Sequence, residues 1–398
     1  MALSLKRSSS NKVAKKKKQK NPASARQWAI SLTVIAIAIW AFFTYLFDKT
    51  PDSVQSWFQV WLPPSTINES LVWVICALGL NIVVGYAGLL DLGFVAFWAF
   101  GGYAAGWFMS GFFHQVNIHF GSMSANTIPG IHLSFWLVMI LAAIIAGFFG
   151  IIIGAPTLRL KSDYLALVTL GFGEIIPQVF TNGENIGGFN LSNGTKGISP
   201  VDAIGVLGKR LGPFDLGWKF LIYFFLAACM VFVSLRIRGG RLGRAWLAIR
   251  EDELAASMMG VPLMRTKLTA YAVGAFSGGI GGAIYATHVN GIFAERFNFS
   301  ISIILLAMVV LGGMGNVWGV IVGALLMAWI NASGLPAIGE TFNNTFKTNI
   351  NFPSYNFLLF GGILVLMMLF KRDGLLPEAR LKMISHENDD ETSNTGGH

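Results

Sequence analysis

R-I-R-G-G-R-L-G-R-A-W-L-A-I-R-E-D-E-L-A-A-S-M-M-G-V-P, residues 236–262, is a charge-dense passage in an otherwise apolar chain, and it separates two hydrophobic blocks. Ala245 to Met259 contains helix formers and no proline, and Gly260 followed by Pro262 predicts a stop just beyond it. Trp246, Leu247, Ile249, Leu254 and Met258 recur roughly every three or four residues, while Arg250, Glu251, Asp252 and Glu253 mark a polar side. That pattern predicts one short amphipathic helix at the membrane surface. Lying in the lipid headgroups is one use for such a helix. Its acidic triplet favours another, because anionic lipid repels carboxylates that can pair with basic residues on a soluble partner. The passage reads as a cytosolic handle.

Working outward, 54% hydrophobic against 12% charged residues over 398 positions excludes a soluble surface and predicts a multispanning, all-α membrane protein. The formal charge of +9 equals the nine Lys and Arg of residues 1–27, which contain no acid. This arm lacks interleaved aromatics and runs straight into an apolar span. It reads as a retained, positive-inside topogenic signal, with neither a nucleic-acid partner nor a cleaved leader implied. Cys76 and Cys229 sit in separate apolar spans, and the six His residues show no ligand spacing, so neither a disulfide framework nor a metal site is indicated.

Taking about 17 to 25 apolar residues per span, and shorter ones beside Gly-rich breaks, gives about ten spans: 28–47, 70–86, 94–113, 131–155, 163–180, 218–235, 267–289, 300–311, 317–330 and 355–370. An even count places both termini in the cytosol, with Arg159, Lys161, the handle, Lys371 and Arg372 on the same side. The organisation is then a basic arm (1–27), a transmembrane domain (28–372) with its coupling loop (236–262), and an acidic tail (373–398). Residues 114–130, 181–217 and 331–353 are expected as external loops.

In lipid, helices associate through close backbone packing, which small residues permit. Gly274, Gly278 and Gly282 form such a row on the seventh span, and Gly315, Gly319 and Gly323 form another at the ninth. The Gly-broken stretches 85–93 and 312–319 occupy comparable inner turns in the two halves, as an internal repeat around a transport path would leave them. Asp91, Asp163 and Glu174 are the acids nearest the membrane interior. Glu174 needs a partner, a water cavity or a proton, and Pro177 removes the amide that would bond the carbonyl of Gly173 beside it. A structural pair and a gating role both fit Glu174. The stretch 187–197 is superficially like a phosphate-binding loop, but its spacing fails and no helix follows, so no nucleotide site is expected; nor is there a catalytic constellation.

Four blocks, L-G-L-N-I-V-V-G-Y-A-G-L-L-D-L-G (78–93), L-R-L-K-S-D-Y-L-A-L-V-T-L-G-F-G-E-I-I (158–176), N-G-T-K-G-I (193–198) and G-R-A-W-L-A-I-R-E-D-E-L-A-A-S-M-M-G (243–260), together resemble the LivM-type permease subunits of branched-chain amino acid ABC importers. The resemblance covers roughly residues 70–372. It implies a LivH-like second permease, two cytosolic ATPases that use ATP and Mg, an external solute-binding protein, a bacterial plasma membrane, and Leu, Ile or Val as cargo. No cofactor and no enzymatic activity are implied for this chain. Relatives that move urea, short amides or other amino acids share much of the pattern. ATPase coupling falls to Arg250, Glu251, Asp252, Glu253, Ala256 and Gly260, and a path or gate to Asn81, Asp91, Glu174, Pro177 and Asn316. The competing class is an ion-coupled secondary carrier with Glu174 as its proton or sodium site.

Overall fold

Pro64 opens the helix at the centre of the fold, α2 (Pro64–Asn81), where the ring's fixed φ suits the first turn and its missing N–H costs nothing. It follows α1 (Asp52–Trp61), a helix in what reads as a polar connector. The structure is a computed structural model that describes residues 37–42, 49–122, 128–160, 162–206, 208–212, 215–371 and 374–376, with only the backbone of Ser162 and Asp163. The arm 1–27, most of the expected first span and the tail beyond 376 lie outside the described residues.

From Ser70 to Asn81 every residue of α2 is buried within the chain. The helix then widens into a π-turn, Ile82–Tyr86, and reverses through Gly88 (φ +69°) into α3 (Phe94–Phe108). After α4 (Phe135–Thr157), α5 (Ser162–Thr181) and α6 (Leu216–Gly239), the handle leads to α9 (Leu263–Val289), which packs on α2, α3 and α4. Next come α10 (Phe299–Gly312) and α11 (Val317–Trp329), followed after further helical turns by α13 (Asn356–Phe370) on the periphery. A Cβ at Gly282 would collide with the Trp98 carbonyl of α3, and one at Gly274 with the Val83 side chain. At Gly278 it would lie 3.0 Å from Phe97 Cβ. Gly319 and Gly323 likewise bring α11 against the backbone of α10. Gly315 differs from the expected row. It lies in the turn before α11 at φ +85°, a conformation open to glycine at little cost.

Seven described stretches are long and apolar enough to cross a membrane, and they contain α2, α4, α5, α6, α10, α11 and α13. Of the other three expected spans, α3 has 15 residues, α9 has its hydropathy diluted by glycines, and the first falls mostly outside the described residues.

Three expectations are corrected. The handle is two helices, α7 (Arg241–Glu251) and α8 (Glu253–Met258), because Asp252 is extended and its carboxylate accepts from the amides of Leu254 (2.8 Å) and Ala255 (3.0 Å), starting a new helix. Residues 114–130 are not a plain loop. Asn117–Phe120 (β2) and Gly130–Leu133 (β3) join Met109–Ser110 (β1) in a sheet of order β1-β3-β2, and β4 (Ile204–Val206) with β5 (Lys209–Leu211) makes a hairpin within 181–217. Residues 331–353 are largely helical. A π-turn, Ile330–Gly334, extends α11 into α12 (Leu335–Phe346), whose Leu335, Ala337 and Gly339 are buried. Ser333 has a partner inside the fold, its hydroxyl lying 2.7 Å from that of Thr66.

Candidate functional site

The handle is fastened to the membrane body from beneath. Trp246 and Ile249 of α7 are buried, and the Trp246 indole N–H donates to the carbonyl of Thr266 at 2.8 Å. Leu254 and Met258, expected on the same apolar face, are instead 68% and 79% exposed, because the break at Asp252 turns α8 independently of α7, and the neighbouring Met259 is 85% exposed. Ala256 alone of α8 is buried, and Gly260 closes the segment at φ +82°.

Each charge of the handle has a distinct position. Arg250 is half-buried, its guanidinium donates to the carbonyl of Gly85 in the first inner turn, and its stem lies so close that a Cβ at Gly88 would be 2.8 Å from Arg250 Cγ. Burial pulls this guanidinium below its ordinary pKa range; Glu251 pulls it up and Arg238 lowers it again. Glu253 pairs with Lys267 of α9 at 2.5 Å, where the lysine side chain is 8% exposed and the carboxylate 53%. Glu251 is exposed. Of the polar side read in sequence, Arg250 is turned inward, whereas Glu251, Asp252 and Glu253 are exposed, Glu253 reaching back to Lys267. A cavity of about 270 Å³ lies among these groups, lined by Gly88, Leu158, Arg250, Glu253 and Lys267.

The two Gly-broken inner turns meet. Asn81 Oδ1 accepts from the Gly315 amide at 2.9 Å, and a Cβ at Gly85 would lie 2.6 Å from that same nitrogen. Asn316 caps α11, accepting from Trp318 N at 3.2 Å, and donates to the Leu376 carbonyl at 2.8 Å. Asp91, wholly buried, accepts from Gly93 N at 2.9 Å and lies 3.4 Å from the Tyr271 hydroxyl. Asn81 and Asp91 are thus packed inside the chain. Glu174 is apart from both, exposed on the outer side of α5, while Pro177 on the same helix is buried.

An outer cluster escapes a reading by sequence. His132 Nδ1 and Asp202 Oδ2 are 2.6 Å apart beside a cavity of about 680 Å³ that Arg210, Asn193 and Asn290 also line. Its members come from distant segments, and only the external placement of 181–217 hinted at it.

Charge exchange at Glu253 and Lys267 separates an internal tie from a partner contact. Glu253→Lys sets two cations together and is expected to lower, at least fivefold, the transport that the sequence resemblance implies. Lys267→Glu added to it should restore most of the loss. A double variant no better than the single one would assign Glu253 to a partner instead.

Residues 64–368, from the first turn of α2 into α13, match the family described as branched-chain amino acid transport system / permease component. The chain belongs to this permease family. The permease is 34% identical over 332 residues to the high-affinity branched-chain amino acid transport system permease protein LivM of Escherichia coli K12, covering 78% of this chain and 69% of LivM. It is 27% identical over 340 residues to a LivM of Methanocaldococcus jannaschii, covering 78% and 93%. Likeness to LivH of E. coli K12 is weaker, 23% over 155 residues, or 39% and 46% of the two chains. No solved structure matches the permease. The resemblance carried by the four sequence blocks is borne out, and this is a multi-pass membrane protein.

Proposed function

We propose that the permease is one of two unlike membrane subunits of an ABC importer for leucine, isoleucine and valine. It has ten spans, with both termini in the cytosol of a bacterium. Two cytosolic ATPases hydrolyse MgATP and press on α7 and α8, an external solute-binding protein delivers cargo, and a LivH-like subunit completes the passage. The observation that carries this reading is the family match over 64–368, to which the 34% identity with LivM adds the cargo class. Partial likeness to LivH supports an unlike pair, and the basic residues on one side support the orientation.

Within the handle, exposed Leu254, Met258 and Met259 make an apolar patch beside outward-facing Glu251, a composition suited to a protein partner. Arg250, Asp252 and Glu253 hold the handle's shape, buried Ala256 lets α8 sit close to the body, and Gly260 ends it. Asn81, Asp91 and Asn316 brace the inner turns.

The test is reconstitution in liposomes. Leucine uptake is expected only with ATP and with the second permease, both ATPases and the binding protein present. Leu254→Asp with Met258→Asp should weaken ATPase binding at least tenfold while the permease stays folded. Uptake by this chain alone, driven by an ion gradient and indifferent to ATP, would overturn the proposal.

A further inference from the structure

The outward faces of α4, α6 and α13 suit lipid. Ile140, Ile144 and Phe148 on α4, Phe225 and Phe232 on α6, and Leu358 on α13 are all more than half exposed. On α5 the outward face is different. Tyr164, Leu167 and Ile175 are exposed there too, but so are Glu174 and Gln178, and Asn182 just past the helix end; spaced four apart, with the Asn182 amide still donating to the Gln178 carbonyl at 3.0 Å, the three stack along one side. At 1.5 Å per residue, Glu174 lies roughly 18 Å from the Ser162 end of α5 and roughly 11 Å from its Thr181 end. In an α5 that crosses the bilayer, that depth falls within the hydrocarbon, where a carboxylate turned toward lipid is costly.

Nothing among the described residues relieves the cost. Among the described residues neither the Glu174 carboxylate nor the Gln178 amide has a hydrogen-bond or ion-pair partner, whereas Asn182 Nδ2 donates to the Gln178 carbonyl at 3.1 Å. These side chains line a shallow, largely open groove of about 480 Å³ whose other lining is apolar, Ile175, Val179 and Ile186. Gly171, one turn before Glu174, has nothing within 4 Å of where its Cβ would be.

We propose that this face of α5 lines the water-filled passage between the permease and its partner subunit, and that the groove is this chain's half of it. Carboxylate and amides on one stripe suit the ammonium and carboxylate of a free amino acid. The flanking apolar residues suit a branched side chain. Glu174 faces the ammonium group, Gln178 and Asn182 lead outward from it, and the partner closes the groove. This inference rests on the importer reading and assigns which surface of the chain meets the cargo.

Cysteine labelling in the full importer tests it. In a Cys229→Ser chain, with buried Cys76 retained, Glu174→Cys, Gln178→Cys and, as a lipid-facing control, Ile144→Cys are each treated with the membrane-impermeant cation 2-(trimethylammonium)ethyl methanethiosulfonate. Residues 174 and 178 are expected to react at least tenfold faster than residue 144, saturating leucine should slow them at least threefold, and labelling at 178 should block uptake. Because labelling is read on the protein itself, a variant that no longer transports is still informative. Reaction at 174 and 178 no faster than at 144, in an importer whose unmodified form takes up leucine, would overturn the assignment and leave the importer reading intact. If the unmodified assembly takes up no branched-chain amino acid, the importer reading fails, and this assignment with it.

Discussion

Arg250→Ala is expected to leave the importer assembled and hydrolysing ATP while lowering leucine uptake at least tenfold. The guanidinium occupies the junction between the handle and the membrane body. Its acceptor, the Gly85 carbonyl, lies in the π-turn that ends α2, where the regular helical pairing is interrupted and a carbonyl is left in need of a donor. From Gly85 the connection continues through Asn81 to the Gly315 amide. A displacement of α7 thereby reaches both Gly-broken turns through two hydrogen bonds. Removing the guanidinium strands a carbonyl, at a cost of about 1–3 kcal/mol, and a tenfold change corresponds to about 1.4 kcal/mol. Arg250→Lys keeps a charge but loses the planar fork, and an intermediate uptake is expected. ATPase activity, retention of the ATPases on the purified permease and leucine uptake are measured side by side. Loss of the ATPases from Arg250→Ala would make Arg250 a docking contact; uptake at the parent level would show that motion reaches the inner turns by another route.

Seven of the expected apolar spans, and their order, were legible because each is a local property of its own twenty or so residues. The same holds for the glycine row 274, 278 and 282, which meets Val83, Phe97 and Trp98. Features that depend on what lies opposite were not legible. Leu254 and Met258 fit the period of Trp246, but Asp252 caps a second helix, and the period carries no meaning across a cap. The acids of the handle read as a surface, yet Glu253 meets Lys267, whose partner cannot be chosen from its own segment. Residues 331–353 read as an external loop, whereas Ser333 finds Thr66 at 2.7 Å inside the fold. The inner turns show both sides of this. Their glycines were visible as breaks, but that Asn81 joins one break to the other required the fold.

Gly279→Val is expected to remove nearly all folded permease from the membrane, although Gly279 lies just outside the four-residue row. It sits where three helices cross. A Cβ at Gly279 would lie 2.5 Å from the Ala142 carbonyl oxygen and 2.7 Å from Ala146 Cβ of α4. From the other side, a Cβ at Gly101 of α3 would fall onto the backbone of Gly279 itself. The obstructing atoms are largely backbone, so no side chain can rotate away, and α9 has to separate from α4 or α3. Overpacking a core costs about 1–3 kcal/mol even where side chains can adjust, and here the adjustment needed is a shift of whole helices. Separation is doubly unfavourable in a bilayer, where close van der Waals packing replaces the hydrophobic drive that would pull soluble helices back together. Gly361→Ala on α13 is the control, since nothing lies within 4 Å of its added carbon, and it should accumulate and run as the parent protein does. Detergent extracts compared by fluorescence-detected size exclusion decide the matter. A monodisperse Gly279→Val peak at the parent's height and position would mean that α9 does not approach its neighbours this closely.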